Sequence, residues 1–164
     1  MVVLGAFLGG MAALLQSAGA LGGAGYAFSM AASLPIMLAG ALSLQTAILT
    51  YLIGIGLLLI IQPSELFVYP FTTGLLGLTL GIAFKLTSHR LYILSAGAAS
   101  LTAGIFFVLH VLGFPLLGPD IKSVLSPKAF MILLLSSILY SGIWLMIGKR
   151  VIAMLKKRLY RAKS

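Results

Sequence analysis

MVVLGAFLGGMAALLQSAGALGGAGYAFSMAASLPIMLAGALSLQTAILTYLIGIGLLLIIQPS, residues 1–64, carries not one Asp, Glu, Lys, Arg or His. A water-soluble domain cannot present so long a stretch without a charged surface, so the solvent of this segment is lipid. The remainder agrees, since 61% of the whole chain is hydrophobic and only 8% is charged. A spanning helix uses roughly 20 apolar residues. The 164 residues therefore hold five or six such helices and no separate soluble domain. The expected fold is an all-α membrane protein, a polytopic bundle of six transmembrane helices.

Working outward, helix 1 is expected at Val2–Ala20, followed by a glycine-rich turn at Leu21–Gly25. Ala18-Gly19-Ala20 has the small residues of a signal-cleavage site, yet no Lys or Arg precedes the apolar run, so this helix is expected to be retained. Helix 2 follows at Tyr26–Leu42 and helix 3 at Leu44–Ile61, with Ser43, Gln45 and Thr46 as the only polar residues at their junction. A short or re-entrant helix 2 would instead leave five full spans. Gln62-Pro63-Ser64-Glu65 is a loop, helix 4 covers Leu66–Leu86, Thr87–Arg90 is a turn, and helix 5 covers Leu91–Gly113. Pro115, Gly118-Pro119-Asp120 and Ser126-Pro127 make Phe114–Pro127 a long loop before helix 6 at Lys128–Gly148.

The formal charge of +9 would suggest nucleic acid in a soluble protein, but its distribution does not. Seven of the eleven basic residues (Lys149, Arg150, Lys156, Lys157, Arg158, Arg161 and Lys163) fall in the last sixteen positions, behind an apolar segment. That is a cytoplasmic anchor facing anionic lipid, with no nucleic acid implied. Lys85 and Arg90 place the turn between helices 4 and 5 on the same side. Counting crossings then puts the N- and C-termini in the cytoplasm, although Lys122 and Lys128 fall outside and count against the rule. The chain divides into a transmembrane domain, 1–148, and a basic tail, 149–164. Val151, Ile152, Leu155 and Leu159 recur at helical spacing, so the tail is either a solvated anchor or an interfacial helix continuing helix 6.

Helices in lipid approach one another through small residues. Helix 1 carries Gly5, Gly9, Ala12, Ala13, Ser17 and Ala20 on one face and Ala6 with Gly10 on an adjoining one. One face can pack inside the bundle while the other takes a partner, which makes Ala6, Gly9, Gly10 and Ala13 the candidate docking residues. Gly74, Gly77 and Gly81 on helix 4, and Ser95, Ala99, Thr102 and Ala103 on helix 5, read as internal packing.

The sparse polar and aromatic residues gather toward the outer ends of the helices. Polar groups in a bilayer turn to the interior or to a cavity, and Gln16, Tyr26, Tyr69, Phe106 and His110 are the candidate ligand-binding residues. His110 shares a helical face with Phe106, Thr102 and Ala99, which points it inward. The plainer alternatives are an interfacial histidine bonded to a backbone carbonyl, aromatic-belt tyrosines, and solvated Glu65, Asp120 and Lys122 in loops. No catalytic triad, His-Glu-x-x-His helix, nucleotide loop or paired intramembrane carboxylate occurs, and cysteine is absent. The expected function is binding without chemistry, with neither metal nor cofactor.

The layout resembles the substrate-binding S components of energy-coupling factor (ECF) transporters, six-helix bacterial proteins with an Ala-x-x-x-Ala motif on helix 1. Ser33-Leu34-Pro35 through Gly74-Leu75-Leu76-Gly77 to Arg90 also looks like a related, uncharacterised bacterial membrane family. The resemblance implies a multi-pass protein of the bacterial cytoplasmic membrane that captures a vitamin-like ligand under the loops joining helices 1–2, 3–4 and 5–6. It further implies docking of helix 1, through Ala6 and Gly10 or Gly9 and Ala13, on a transmembrane coupling subunit driven by two ATPase subunits. Here glycine replaces one alanine in each pair. The runner-up is a non-transporting scaffold of the cell-shape machinery. Leu15-Gln16-Ser17 is similar to the rod-shape protein of bacterial elongation, whose Asp-containing segment is not evident. A small channel or lipid-handling protein is a third reading that no specific residue supports.

Overall fold

The computed structural model describes residues 1–113 and 127–161. Within them the chain is helical: α1 (Val2–Ser17), α2 (Ala24–Met30), α3 (Ser33–Leu42), α4 (Leu44–Ile61), α5 (Thr73–Leu86), α6 (Arg90–His110) and α7 (Pro127–Arg161). Short 3-10 turns at Ala18–Leu21 and Pro63–Phe67 follow α1 and α4. Five stretches are long and apolar enough to cross a membrane, namely 2–21, 24–42, 44–61, 90–110 and 127–154. The fourteen-residue α5 is apolar but shorter, about 21 Å at 1.5 Å per residue. The outer loop expected at Phe114–Pro127, with Asp120 and Lys122, lies almost wholly outside the described residues.

Two proline effects separate this arrangement from the helices expected above. Helix 2 is not continuous across Tyr26–Leu42 but breaks at Ala31–Ala32. Pro35 has no N–H to offer the Ala31 carbonyl four residues back, and its ring crowds that carbonyl. The Ala31 oxygen instead accepts a shorter-range bond from Leu34 N–H at 3.0 Å. Helix 4 does not begin at Leu66. Pro70 forbids a regular helix through 66–72, so the chain runs through a 3-10 turn and a bend and enters α5 at Thr73. The boundary between α3 and α4 falls where expected, and Ser43 is extended and caps α4 by accepting from Thr46 N–H at 3.0 Å. The turn into α2 uses Gly22 and Gly23 at φ +64° and +48°, where a side chain would be strained.

α3 is the hub, packed on α1, α4, α5 and α7, while α6 bridges α5 and α7. Glycine sets the closest approaches. A Cβ built at Gly40 of α3 would lie 2.7 Å from Gly81 Cα of α5, and one at Gly77 would lie 2.6 Å from the Ser33 carbonyl oxygen. These two helices therefore touch through their backbones. α1 lies on α4 in the same manner, and Thr50 Oγ1 adds a hydrogen bond to the Gly5 carbonyl at 3.2 Å. Met37, Leu76, Leu80, Ile93, Leu101 and Trp144 fill the space between α3, α5, α6 and α7. A second cluster of Ala12, Ala13, Ile36, Leu58 and Tyr69 lies between α1, α3 and α4.

The tail is not a separate element in its described part. α7 runs without interruption from Pro127 to Arg161, 35 residues, across the expected boundary at Gly148.

Candidate ligand-binding site

The C-terminal end of α1, the start of α3, the turn after α4 and the start of α5 meet at one end of the bundle. There Gln16, 2% exposed, donates from Nε2 to Glu65 Oε2 at 2.7 Å. Its Oε1 accepts from Thr73 Oγ1 at 2.7 Å, and Ser33 Oγ donates to the Thr73 carbonyl at 2.9 Å. A carboxylate only accepts, so the orientation of the Gln16 amide follows from its partner. Hydrogen bonds to a charged group contribute about 1.5–3 kcal/mol, and this one also holds α1 against the α4–α5 connection. Glu65 is half-buried, and its second oxygen remains beside Gly19. A Cβ on Gly19 would sit 3.9 Å from Glu65 Oε1 and 3.3 Å from Ser29 Oγ. Glycine at 19 thus lets the turn after α1 lie close against Ser29 and the carboxylate. Glu65 is the sole acidic side chain among the described residues, and no basic side chain pairs with it there. A cationic or proton-donating group would complete its coordination.

The five candidate residues do not form one pocket. Gln16 is in the polar cluster. Tyr69 is in the core, fully buried and stacked on Tyr51 at 6.2 Å between ring centroids. Its hydroxyl rests on Gly54 without a hydrogen-bond partner, while Tyr51 donates to the Pro70 carbonyl at 2.8 Å. Tyr26 stands exposed on α2. Phe106 and His110 are on α6, their rings stacked at 4.1 Å, with His110 Nδ1 3.2 Å from the Phe106 carbonyl oxygen.

His110 is exposed rather than inward-pointing, and so are Ser95, Ala99, Ala103 and Phe106, which were expected to pack inward with it; the packed face of α6 is that of Gly97, Leu101, Gly104 and Val108. Gly104 of α6 packs on the Phe71 carbonyl just ahead of α5. α6 then continues six residues to His110, about 9 Å at 1.5 Å per residue, past the start of the shorter helix. A cavity of about 560 Å³ opens between this projecting part of α6 and the start of α7, walled by Thr102, Phe106, Phe107, Phe130 and Leu134. Phe71, its ring tilted against Phe107 at 4.7 Å between centroids, is the link between this aromatic wall and the segment that carries Glu65.

Ser29, Ser33, Glu65 and Thr73 were not among the candidates, yet they make or border the polar cluster. Two signals point to them. Glu65 is the sole acidic residue before position 120 in a strongly cationic chain, and Ser33 and Thr73 each follow or precede by two or three positions the prolines that end a helix.

The two faces of α1 separate cleanly. A Cβ on Gly9 would meet Ile53 of α4 at 2.8 Å, and Ala12 and Ala13 are wholly buried. Gly10 has nothing within 4 Å. With Ala6 it shares an outward face bearing the exposed Val3, Phe7 and Leu14. Of the two candidate docking pairs, Gly9 and Ala13 are spent on α4 and Ala6 and Gly10 are left free. Comparison with protein families, with characterised proteins and with solved structures gives no match.

Proposed function

We propose that this chain is the substrate-binding subunit of an ATP-driven micronutrient importer of the energy-coupling factor kind. In this reading it crosses the bacterial cytoplasmic membrane six times with both termini inside. It captures a small vitamin-like molecule at the Gln16–Glu65 end. The observation that carries the reading is the convergence of Gln16, Ser33, Glu65 and Thr73 from separate segments at one end of a mostly apolar bundle. A partly buried polar cluster, with one carboxylate oxygen uncommitted among the described residues, suits a ligand that bears a positive charge or several N–H groups. The Ala6–Gly10 face is the surface offered to a transmembrane coupling subunit, which in turn works with two ATPases.

The test is a thermal-shift screen of the purified protein against cationic and neutral vitamins and their precursors. A stabilising ligand whose effect is lost in Glu65→Gln supports the reading, and silence across the panel overturns it. Uptake in cells should fail in Gly10→Leu while ligand binding persists.

A second reading has its own support. Both ends of the Gln16 amide are engaged by protein partners, as expected of a lock that fastens α1 rather than a site that waits for a ligand. A scaffold of the cell-envelope machinery needs only that lock. Depletion would then alter cell shape irrespective of nutrient supply.

A further inference from the structure

The end of the bundle opposite Glu65 carries a cleft of about 440 Å³ between the α5–α6 turn and α7. Its polar wall is Lys85, Thr87, Ser88 and Lys149. Its apolar floor is Phe84, Ile93 and Ile152, with Ile93 fully buried. Arg90 opens α6 two residues after Ser88. The one described carboxylate, Glu65, is engaged at the other end of the molecule. Two cations thus line the cleft, a third lies next to its wall in sequence, and no carboxylate of the described residues stands among them. Like charges held together in this way raise the energy of the empty cleft and favour an anion that enters it.

We infer that this cleft binds the phosphate headgroup of an anionic phospholipid, with Lys85 and Lys149 on the phosphate and the acyl chain along Phe84, Ile93 and Ile152. The mixed lining separates a lipid from free phosphate, which would use the cationic wall alone. The surroundings are also apolar: Leu86 and Leu91 are 72% and 80% exposed beside the turn, surface that suits contact with acyl chains. A second hollow, about 340 Å³ and lined by Leu86, Thr87, His89 and Tyr92, lies along the same turn and gives room for another chain. This inference is independent of the ligand proposed for Glu65 and of the loose attraction of a basic tail to a charged surface. It assigns a particular cleft.

The full-length protein, delipidated in neutral detergent, is titrated with phosphatidylglycerol, with phosphatidylcholine and with inorganic phosphate, and its thermal midpoint is followed. Phosphatidylglycerol should stabilise it and the other two should not. Each basic residue near a charged lipid surface strengthens binding about fivefold, so Lys85→Gln with Lys149→Gln should weaken the phosphatidylglycerol response about thirtyfold. Lys128→Gln at the start of α7 should leave it unchanged, as should Lys156→Gln with Lys157→Gln in the tail. An equal response to inorganic phosphate overturns the lipid assignment. A response that survives the Lys85/Lys149 pair, or is lost with the tail pair, overturns the cleft. Lys85 is exposed and Lys149 half-buried, and unaltered circular dichroism confirms that a lost response is not lost fold.

Discussion

Gly9→Ala and Gly10→Ala place the same methyl group at adjacent positions of α1, and their effects should diverge. At Gly9 the new carbon would lie 2.8 Å from Ile53 Cβ and Cγ2 and 2.9 Å from the Thr50 carbonyl oxygen, all short of the 3.4 Å at which ordinary contact begins. None of these atoms can swing aside, because two belong to a β-branched side chain with little χ1 freedom and the third is backbone. Overpacking of this kind costs about 1–3 kcal/mol. At Gly10 nothing lies within 4 Å. Both substitutions gain about 0.8–1.0 kcal/mol of helix propensity, which cancels in the comparison. The two variants should therefore differ by about 1–3 kcal/mol, with Gly10→Ala no less stable than the parent. At about 2–4 °C per kcal/mol for a chain of this size, thermal unfolding in detergent should show a gap of about 2–12 °C. Coincident midpoints would refute the interdigitation of α1 with α4, and with it the assignment of the Ala6–Gly10 face as free.

Gln16→Leu should lower stability by about 1–3 kcal/mol, since it strands Glu65 and Thr73 without their partner; an unchanged midpoint would mean that the cluster does not fasten α1. Tyr69→Phe removes a buried hydroxyl that has no partner, so stability should hold or rise by up to about 1 kcal/mol. A loss there, read by the same unfolding assay, would show that the hydroxyl is bonded in the membrane. Tyr140→Phe deletes the 2.9 Å bond to the Met30 carbonyl and should cost about 0.5–1.5 kcal/mol. Hydrogen exchange should then quicken at 30–32, where α2 meets α3.

The membrane class was legible from residues 1–64 alone, because a charge-free surface of that length is untenable in water. The α3–α4 boundary was legible as well, since Ser43 and Thr46 were the sole polar residues able to cap a helix in that stretch. Pro35 and Pro70 could have been read and were not. Hydrophobicity runs straight through both, and a count of apolar residues cannot register a missing N–H. The candidate site was legible in its composition and not in its assembly. Gln16 stood out as a polar residue in an apolar helix, but its partners Glu65 and Thr73 are 49 and 57 positions away. Helical periodicity placed His110 with its face-mates correctly in rotation. It could not say which face turns inward, because Gly97, Leu101, Gly104 and Val108 offer a second small-residue and aliphatic face, and that one packs.

The unbroken α7 has a mechanical consequence. Thirty-five residues make a rod about 52 Å long, against about 30 Å of hydrocarbon. The rod is therefore longer by several turns than a hydrocarbon layer is thick. A tilt of about 10° about Trp144 displaces the far tip by about 4 Å. Tyr140, Trp144 and Gly148 clamp its middle to Met30, α3 and Phe84, so whatever grips the charged extremity works a lever whose fulcrum is the kinked second passage of the chain.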